Sequence, residues 1–203
     1  MRKRPSTGGL GASFVLACAA LSAGPSPDDL AVTARRGREA MAAGRFDEAA
    51  ALYAEITRAL PDEPGMLLNL GMALSMAGRP GEAVPRLEAA LRLRPDLLPA
   101  SLFLGAAYID LGQPARAVEP LQRVVGAQPD NQEARRRLAD ALWSLRSFEP
   151  AIRQYRTLSE QAPQDPRAWY GLGRSYEAVA RIAQERLQRS APEIGRASCR
   201  ERV

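Results

Sequence analysis

Prolines recur at Pro61, Pro95, Pro129 and Pro163, each 34 residues after the last. A fixed period of this length means that the chain repeats one supersecondary unit, which cannot bury its apolar face alone and must stack on its neighbours. Two further ladders keep the same register. Gly37, Gly71, Gly105 and Gly173 form one, with Ala139 filling the missing rung, and Ala49, Ala83, Ala117 and Ala151 form the other. With 46% apolar residues and only 5% aromatics, the core between such units has to be aliphatic and rich in alanine.

Small residues at fixed rungs suit helices that approach closely, and punctuation marks where those helices stop. Gly44-Arg45, Gly78-Arg79 and Gly112-Gln113 read as tight turns in which glycine ends a first helix. Pro80 and Pro114 follow where a second helix can start, because its first turn needs no donor there. Pro61, Pro95, Pro129 and Pro163 then end the second helix before the next unit. Pro85 and Pro120 fall inside second helices, where a kink or a delayed start is expected.

The ladders resemble the tetratricopeptide repeat, whose pattern runs Trp, Leu-Gly, Tyr, then Ala, an aromatic residue, Ala and Pro. Trp169, Leu172, Gly173 and Tyr176 carry it best, followed by Leu104, Gly105, Tyr108, Ala117 and Pro129, and by Leu70, Gly71, Ala83, Ala90 and Pro95. The first unit departs at Arg36, where the pattern has Leu. The resemblance implies an all-α, right-handed α-solenoid over residues 30–192, with units at about 30–63, 64–97, 98–131 and 132–165 and a partial unit at 166–192. In the last unit the turn glycine is missing and Glu185 stands at the packing-alanine position. That stretch is expected either to run as one long helix or to lack its partner helix.

Both ends read as something other than repeat. Arg2, Lys3 and Arg4 precede an apolar and small stretch, Gly8 to Ala20, and then Ser, Gly and Pro, the order of a secretory signal over residues 1–23, with 24–29 as linker. The apolar run falls well short of the roughly 20 residues that a spanning helix needs, so the expectation is an exported, periplasmic or secreted protein with no membrane span in the mature chain. Cleavage fits after Ala19 or after Ser22. Val15-Leu16-Ala17-Cys18 offers an alternative as a lipobox, with Cys18 acylated and the protein lipid-anchored. Residues 193–203, EIGRASCRERV, back-translate into a string that resembles a common sequencing adapter. The expectation is an artefact tail behind a fragment of a longer protein.

Charge and residue types exclude several functions. Of the five excess positive charges, three sit in Arg2, Lys3 and Arg4 and one in residues 193–203, leaving one for 24–192. Such a body has no electrostatic footprint for nucleic acid. There is no histidine, and the cysteines, Cys18 and Cys199, both lie in the end segments. No His-based triad, thiolate metal site or phosphate-binding glycine loop can be built, so neither enzyme, metal nor cofactor is expected. The run Arg135-Arg136-Arg137 points in three directions on a helix and reads as a solvated surface beside Glu133 and Asp140.

What remains is a scaffold that binds a protein or peptide through its concave groove. The alternative is the recruiting half of a larger enzyme or of an outer-membrane lipoprotein assembly factor. The resemblance implies that the first helices line the groove. It assigns Leu68, Met72 and Met76 in the second unit, Leu102 and Ile109 in the third, Arg136, Asp140 and Trp143 in the fourth, and Tyr170 and Arg174 in the fifth. One end is apolar and the other charged, which suits an amphipathic partner helix seated on Met72 and Met76 and anchored by Arg136 or Arg174. Alternatively, the Met and Leu residues only pack between helices. Repeats that clamp chaperone tails carry basic residues where Ala34 and Phe103 stand here, although Asn69 matches, so that ligand is not expected. Hydrogen exchange on the purified chain is expected to find residues 193–203 unprotected; slow exchange there would exclude the adapter reading.

Overall fold

Helix starts and stops in this chain are written by short polar and glycine signals, and the computed structural model, which describes residues 25–191, follows them closely. Nine α-helices form among the described residues: α1 Pro27–Ala42, α2 Phe46–Ala59, α3 Pro64–Met76, α4 Pro80–Leu93, α5 Leu98–Asp110, α6 Pro114–Ala127, α7 Gln132–Ser144, α8 Phe148–Gln161 and α9 Pro166–Ser190. Four of the five first helices are entered through side-chain caps, and α5, which starts after Leu97, has none. Glu63 accepts from the Gly65 amide, Asn131 from Ala134 and Asp165 from Arg167. Ser26 and Asp29 make a reciprocal capping box, so α1 begins inside the segment read as linker.

Second helices start instead from a repeated tight turn. The amides of Arg45, Arg79, Gln113 and Ser147 bond back to the carbonyls of Ala40, Leu74, Tyr108 and Leu142 at 2.8–2.9 Å. The residue before each adopts positive φ: Gly44 (72°), Gly78 (74°), Gly112 (69°) and, in the fourth unit, Arg146 (58°). Only the fourth turn runs against side-chain sterics, since a Cβ penalises that conformation. The 34-residue prolines sit just beyond the C-caps Leu60, Arg94, Gln128 and Ala162, where the chain must leave the helix.

The delayed starts expected at Pro85 and Pro120 do not occur. Helices α4 and α6 begin at Pro80 and Pro114 and run through the inner prolines. Each proline deprives the carbonyl four residues earlier of its donor, and those residues, Gly81 and Arg116, are exposed, so water can take the bond. The last unit resolves to one long helix: α9 continues straight where the other units turn.

Consecutive helices pack against one another along the whole chain, and the contact is tightest at the small-residue rungs. The ring of Tyr53 lies 2.9 Å from where a Cβ on Gly37 would be, and Leu87 and Leu121 stand 2.6 Å from the Cβ positions of Gly71 and Gly105. Each partner follows its glycine by sixteen residues. Ala49, Ala83, Ala117 and Ala151 are fully buried. Gly173 breaks the pattern: with α9 unbent, nothing lies within 4 Å of its Cβ position, and the close contact of this helix is made by Gly171 on Tyr155. Arg36 is exposed where Leu70, Leu104 and Leu138 are buried, because among the described residues α1 is the first helix of the stack and its outer face is uncovered.

The rungs therefore predict opposite outcomes for one substitution. Gly71→Ala drives a methyl into the buried Leu87 and should cost about 1–3 kcal/mol. Gly173→Ala fills open space in a helix and should stabilise by up to about 1 kcal/mol. Denaturant unfolding in dilute solution measures both; equal effects would mean that the rungs do not control helix approach.

Candidate functional site

Curvature of the stack follows from which helices touch. Among the described residues α3 meets α5, α5 meets α7 and α7 meets α9, whereas no comparable contact joins the second helices α2, α4, α6 and α8 to one another. The first helices therefore crowd the inner side, and the surface they form is the hollow of the solenoid.

At the α7–α9 end the hollow is occupied by a shared ion cluster. Arg174 donates from Nη2 to Asp140 Oδ1 at 2.8 Å and to the Tyr155 hydroxyl at 2.6 Å, and Tyr155 in turn donates to Asp140 Oδ1 at 2.5 Å. Arg136 reaches the other oxygen of Asp140 at 3.3 Å and binds Glu133 at 2.7 Å, while Arg137 binds Glu133 at 2.6 Å. Three guanidinium groups share two carboxylates, which leaves one positive charge in excess. The Arg174 guanidinium also lies over the Trp143 ring at 4.2 Å and near Tyr170 at 5.6 Å. Beside it opens a depression of about 660 Å³ lined by Trp143, Arg174, Glu177, Ala180, Arg181 and Gln184.

Electrostatics here are set by burial and by these partners. Burial works to raise the Glu133 carboxyl, but hydrogen bonds from Arg136 and Arg137 and their charges overcome it and hold the group below its ordinary range. Burial, reinforced by the bond to Asp140, pushes the Tyr155 hydroxyl well above the usual tyrosine value. The Nε1 of Trp143 and the Nε of Arg174 are buried with no hydrogen-bond partner, so the cluster retains two unanswered donors.

The apolar end is plainer. Leu68, Leu102 and Ile109 are partly buried and pack against the core, as does Trp143 at the other end, which agrees with the reading of these positions as interhelical packing. Met72 is partly exposed and Met76 is 47% exposed. Tyr170 is the most open of the ten positions, at 71%. The structure brings Arg136, Asp140, Trp143, Tyr170 and Arg174 into one cluster.

Sequence reasoning missed Tyr155, Arg181 and Gln184. Tyr155 stands sixteen residues after the Ala139 rung, the spacing that pairs Gly37 with Tyr53, and only its hydroxyl reaches the hollow. Arg181 and Gln184 join because α9 does not turn, which no local signal states. The arginine run also differs from a solvated face. Arg135 is buried, giving its guanidinium to Gln154 at 2.9 Å and to the carbonyl of Pro129 at 2.6 Å, so it ties a repeat-closing proline to the next unit. Among the described residues no group of three or more His, Cys, Asp or Glu is placed to hold a metal, and no helix is long and apolar enough to cross a membrane.

Two tyrosines in hydrogen-bonded clusters should ionise late. Tyr108, pushed up to about 12 by burial and by its bond to Glu88, and Tyr155 are both favoured neutral in the fold. Their stabilisation is complete below the ordinary tyrosine pKa of about 10 and is lost as pH climbs beyond it. Burial raises Tyr53 as well, so tyrosinate absorbance during alkaline titration should show three late groups, and Asp140→Asn should bring one of them to lower pH. A late group unmoved by that substitution would contradict the coupling.

Tetratricopeptide-repeat family models match residues 34–97, 74–130 and 112–174, so that together they run from α1 into α9. Among solved structures, MamA AMB-1 is 26% identical with a TM-score of 0.71 over 77% of this chain and 85% of its own. MamA MSR-1 is 26% identical with a TM-score of 0.69 over 74% and 87%. A further MamA crystal structure, at 23% identity and a TM-score of 0.70, agrees in fold. None of the curated proteins matches. Period, rung contacts, family models and solved relatives agree, and the chain belongs to the tetratricopeptide-repeat family as an all-α solenoid.

Proposed function

We propose that this protein is an exported scaffold that seats an amphipathic helix of a partner protein in the hollow of its first helices. The apolar stripe of that helix rests on Met72 and Met76, and an acidic group on it meets the positive excess around Arg136 and Arg174. The observation that carries this reading is the unlike character of the two ends: an exposed, adaptable thioether at Met76 and a guanidinium held over the Trp143 ring in a cluster with one positive charge in excess. Flexible methionine suits an apolar stripe of no fixed shape, and arginine beside aromatic residues is the composition of binding hot spots. Repeat solenoids use such extended hollows to hold segments of other proteins.

Export rests on residues 1–23 and the lipid anchor on Cys18, and both lie outside the described residues, as does the tail 193–203. Mass spectrometry of the mature N-terminus separates a chain cleaved after Ala19 or Ser22 from one that starts at an acylated Cys18.

For the groove, Met76→Gln and Trp143→Gln should each reduce cross-linked capture of an identified partner from periplasmic extract by tenfold or more. Met76→Gln should change stability by no more than about 0.5 kcal/mol, being exposed. Capture left intact while the melting temperature falls would mean that the stripe is core and that the partner binds elsewhere.

A further inference from the structure

Second helices make no comparable contact with one another, so a furrow runs between each and the next on the outer side of the stack. Between α4 and α6 the chain fills this furrow itself. Tyr108 reaches out from α5, donates its hydroxyl to Glu88 and accepts from Arg116 at 2.8 Å, and the Arg116 guanidinium covers the ring at 4.3 Å from its centre. One period earlier the same three positions hold Leu74, Ala54 and Glu82. Neither an aromatic ring nor a carboxylate to hold it stands there, and a cavity of about 410 Å³ opens between α2 and α4, lined by all three residues. Buried Leu70 and Leu74 are its floor, with Ala51, Ala54 and Pro85 as walls. The cavity lies within the stack, between units that are both fully described, so it is open because of these side chains and not because of where the chain begins or ends.

We propose that this cavity is a second binding site, on the side of the solenoid opposite the hollow, and that it takes a tyrosine side chain presented by a partner protein. The next unit shows which shape the furrow accepts, since Tyr108 places that ring at the same position of the repeat. The rim narrows the choice. Asp47 and Glu82 face Arg79 and Arg86 around the cavity, two charges of each sign, so a charged side chain gains little net attraction there, whereas a neutral ring with a hydroxyl can use an acceptor and a cation together. Glu82 accepts from Arg79 at 2.7 and 2.9 Å, and each of its oxygens keeps a lone pair for a phenol. Those bonds hold its carboxyl below the ordinary range, so it stays an acceptor. The Gly81 carbonyl, deprived of its helical donor by Pro85, is another acceptor on the same rim. Exposed Arg86 supplies a guanidinium, the kind of group that covers the Tyr108 ring. Arg79 also reaches Asp47 at 3.3 Å and so bridges α4 to α2 across the furrow. No residue of the cavity belongs to the ion cluster of the hollow, so this site stands whether or not a helix binds there.

N-acetyltyrosinamide, a tyrosine side chain with peptide-like ends, is the probe. Added to the purified, methyl-labelled full chain, it should shift the Leu70 and Leu74 methyl resonances saturably through its ring current, with half-saturation in roughly the millimolar range expected of so small a ligand. N-acetylphenylalaninamide, lacking the hydroxyl, should bind about threefold more weakly, and N-acetylleucinamide about tenfold more weakly. Leu74→Tyr puts the chain's own ring into the cavity, as Tyr108 does one unit later, and should abolish the Leu70 shift while the melting temperature is maintained. Ala54→Leu narrows the same cavity from α2 and should act alike, so the result does not hang on the folding of one variant. Leucine methyls that stay unmoved up to the solubility limit of the probe would overturn the proposal. So would shifts that survive both substitutions, or a phenylalanine or leucine amide that binds as well as the tyrosine amide.

Discussion

Everything in this solenoid depends on how closely a first helix can lie on the second helix of its own unit. At Gly37, Gly71 and Gly105 the partner side chain occupies the space where a Cβ would be. Leu87 and Leu121 are fully buried, so they have nowhere to move. The rung sets the interaxial distance, the Ala ladder on the second helices sets the next contact, and a stack of such pairs follows with little freedom left. The turn between the two helices is equally repetitive, and the fourth unit maintains it with Arg146 in a conformation that the other three leave to glycine.

The ion cluster of the hollow depends on that stacking. Asp140 and Arg174 stand 34 residues apart, one repeat period, on α7 and α9. Their 2.8 Å contact exists because consecutive first helices are brought side by side, and Tyr155 joins from α8 because it fills the gap behind them. Once assembled, the cluster lowers the cost of keeping three arginines together by sharing two carboxylates. It leaves a surplus of positive charge beside aromatic rings at this end of the hollow, the features on which the proposed acidic, amphipathic partner rests.

The last helix is where the repeat logic stops, and the charged end of the hollow borders it. Because α9 continues past the point where other units turn, Arg181 and Gln184 extend the hollow. One departure from the repeat therefore accounts for the enlarged groove end.

The sequence by itself determined the helix pairs, the turns at Gly44, Gly78 and Gly112, the rungs and the family, because each is a local or strictly periodic signal that period 34 repeats until it is unmistakable. The family resemblance further assigned Arg136, Asp140, Trp143 and Arg174 to first helices one repeat period or less apart, and the structure gathers them into one cluster. Tertiary structure decided what those residues do there: that Arg135 is buried against Pro129 while Arg136 faces the cluster, that Tyr155 reaches Asp140, and that Leu68, Leu102 and Ile109 are half spent on packing. It decided too that Pro85 and Pro120 leave their helices unbroken and that Gly173 meets nothing. The physical reason is the same in each case: propensity and period act within a unit, whereas burial, ion sharing and the fate of a terminal helix depend on neighbours that lie far along the chain.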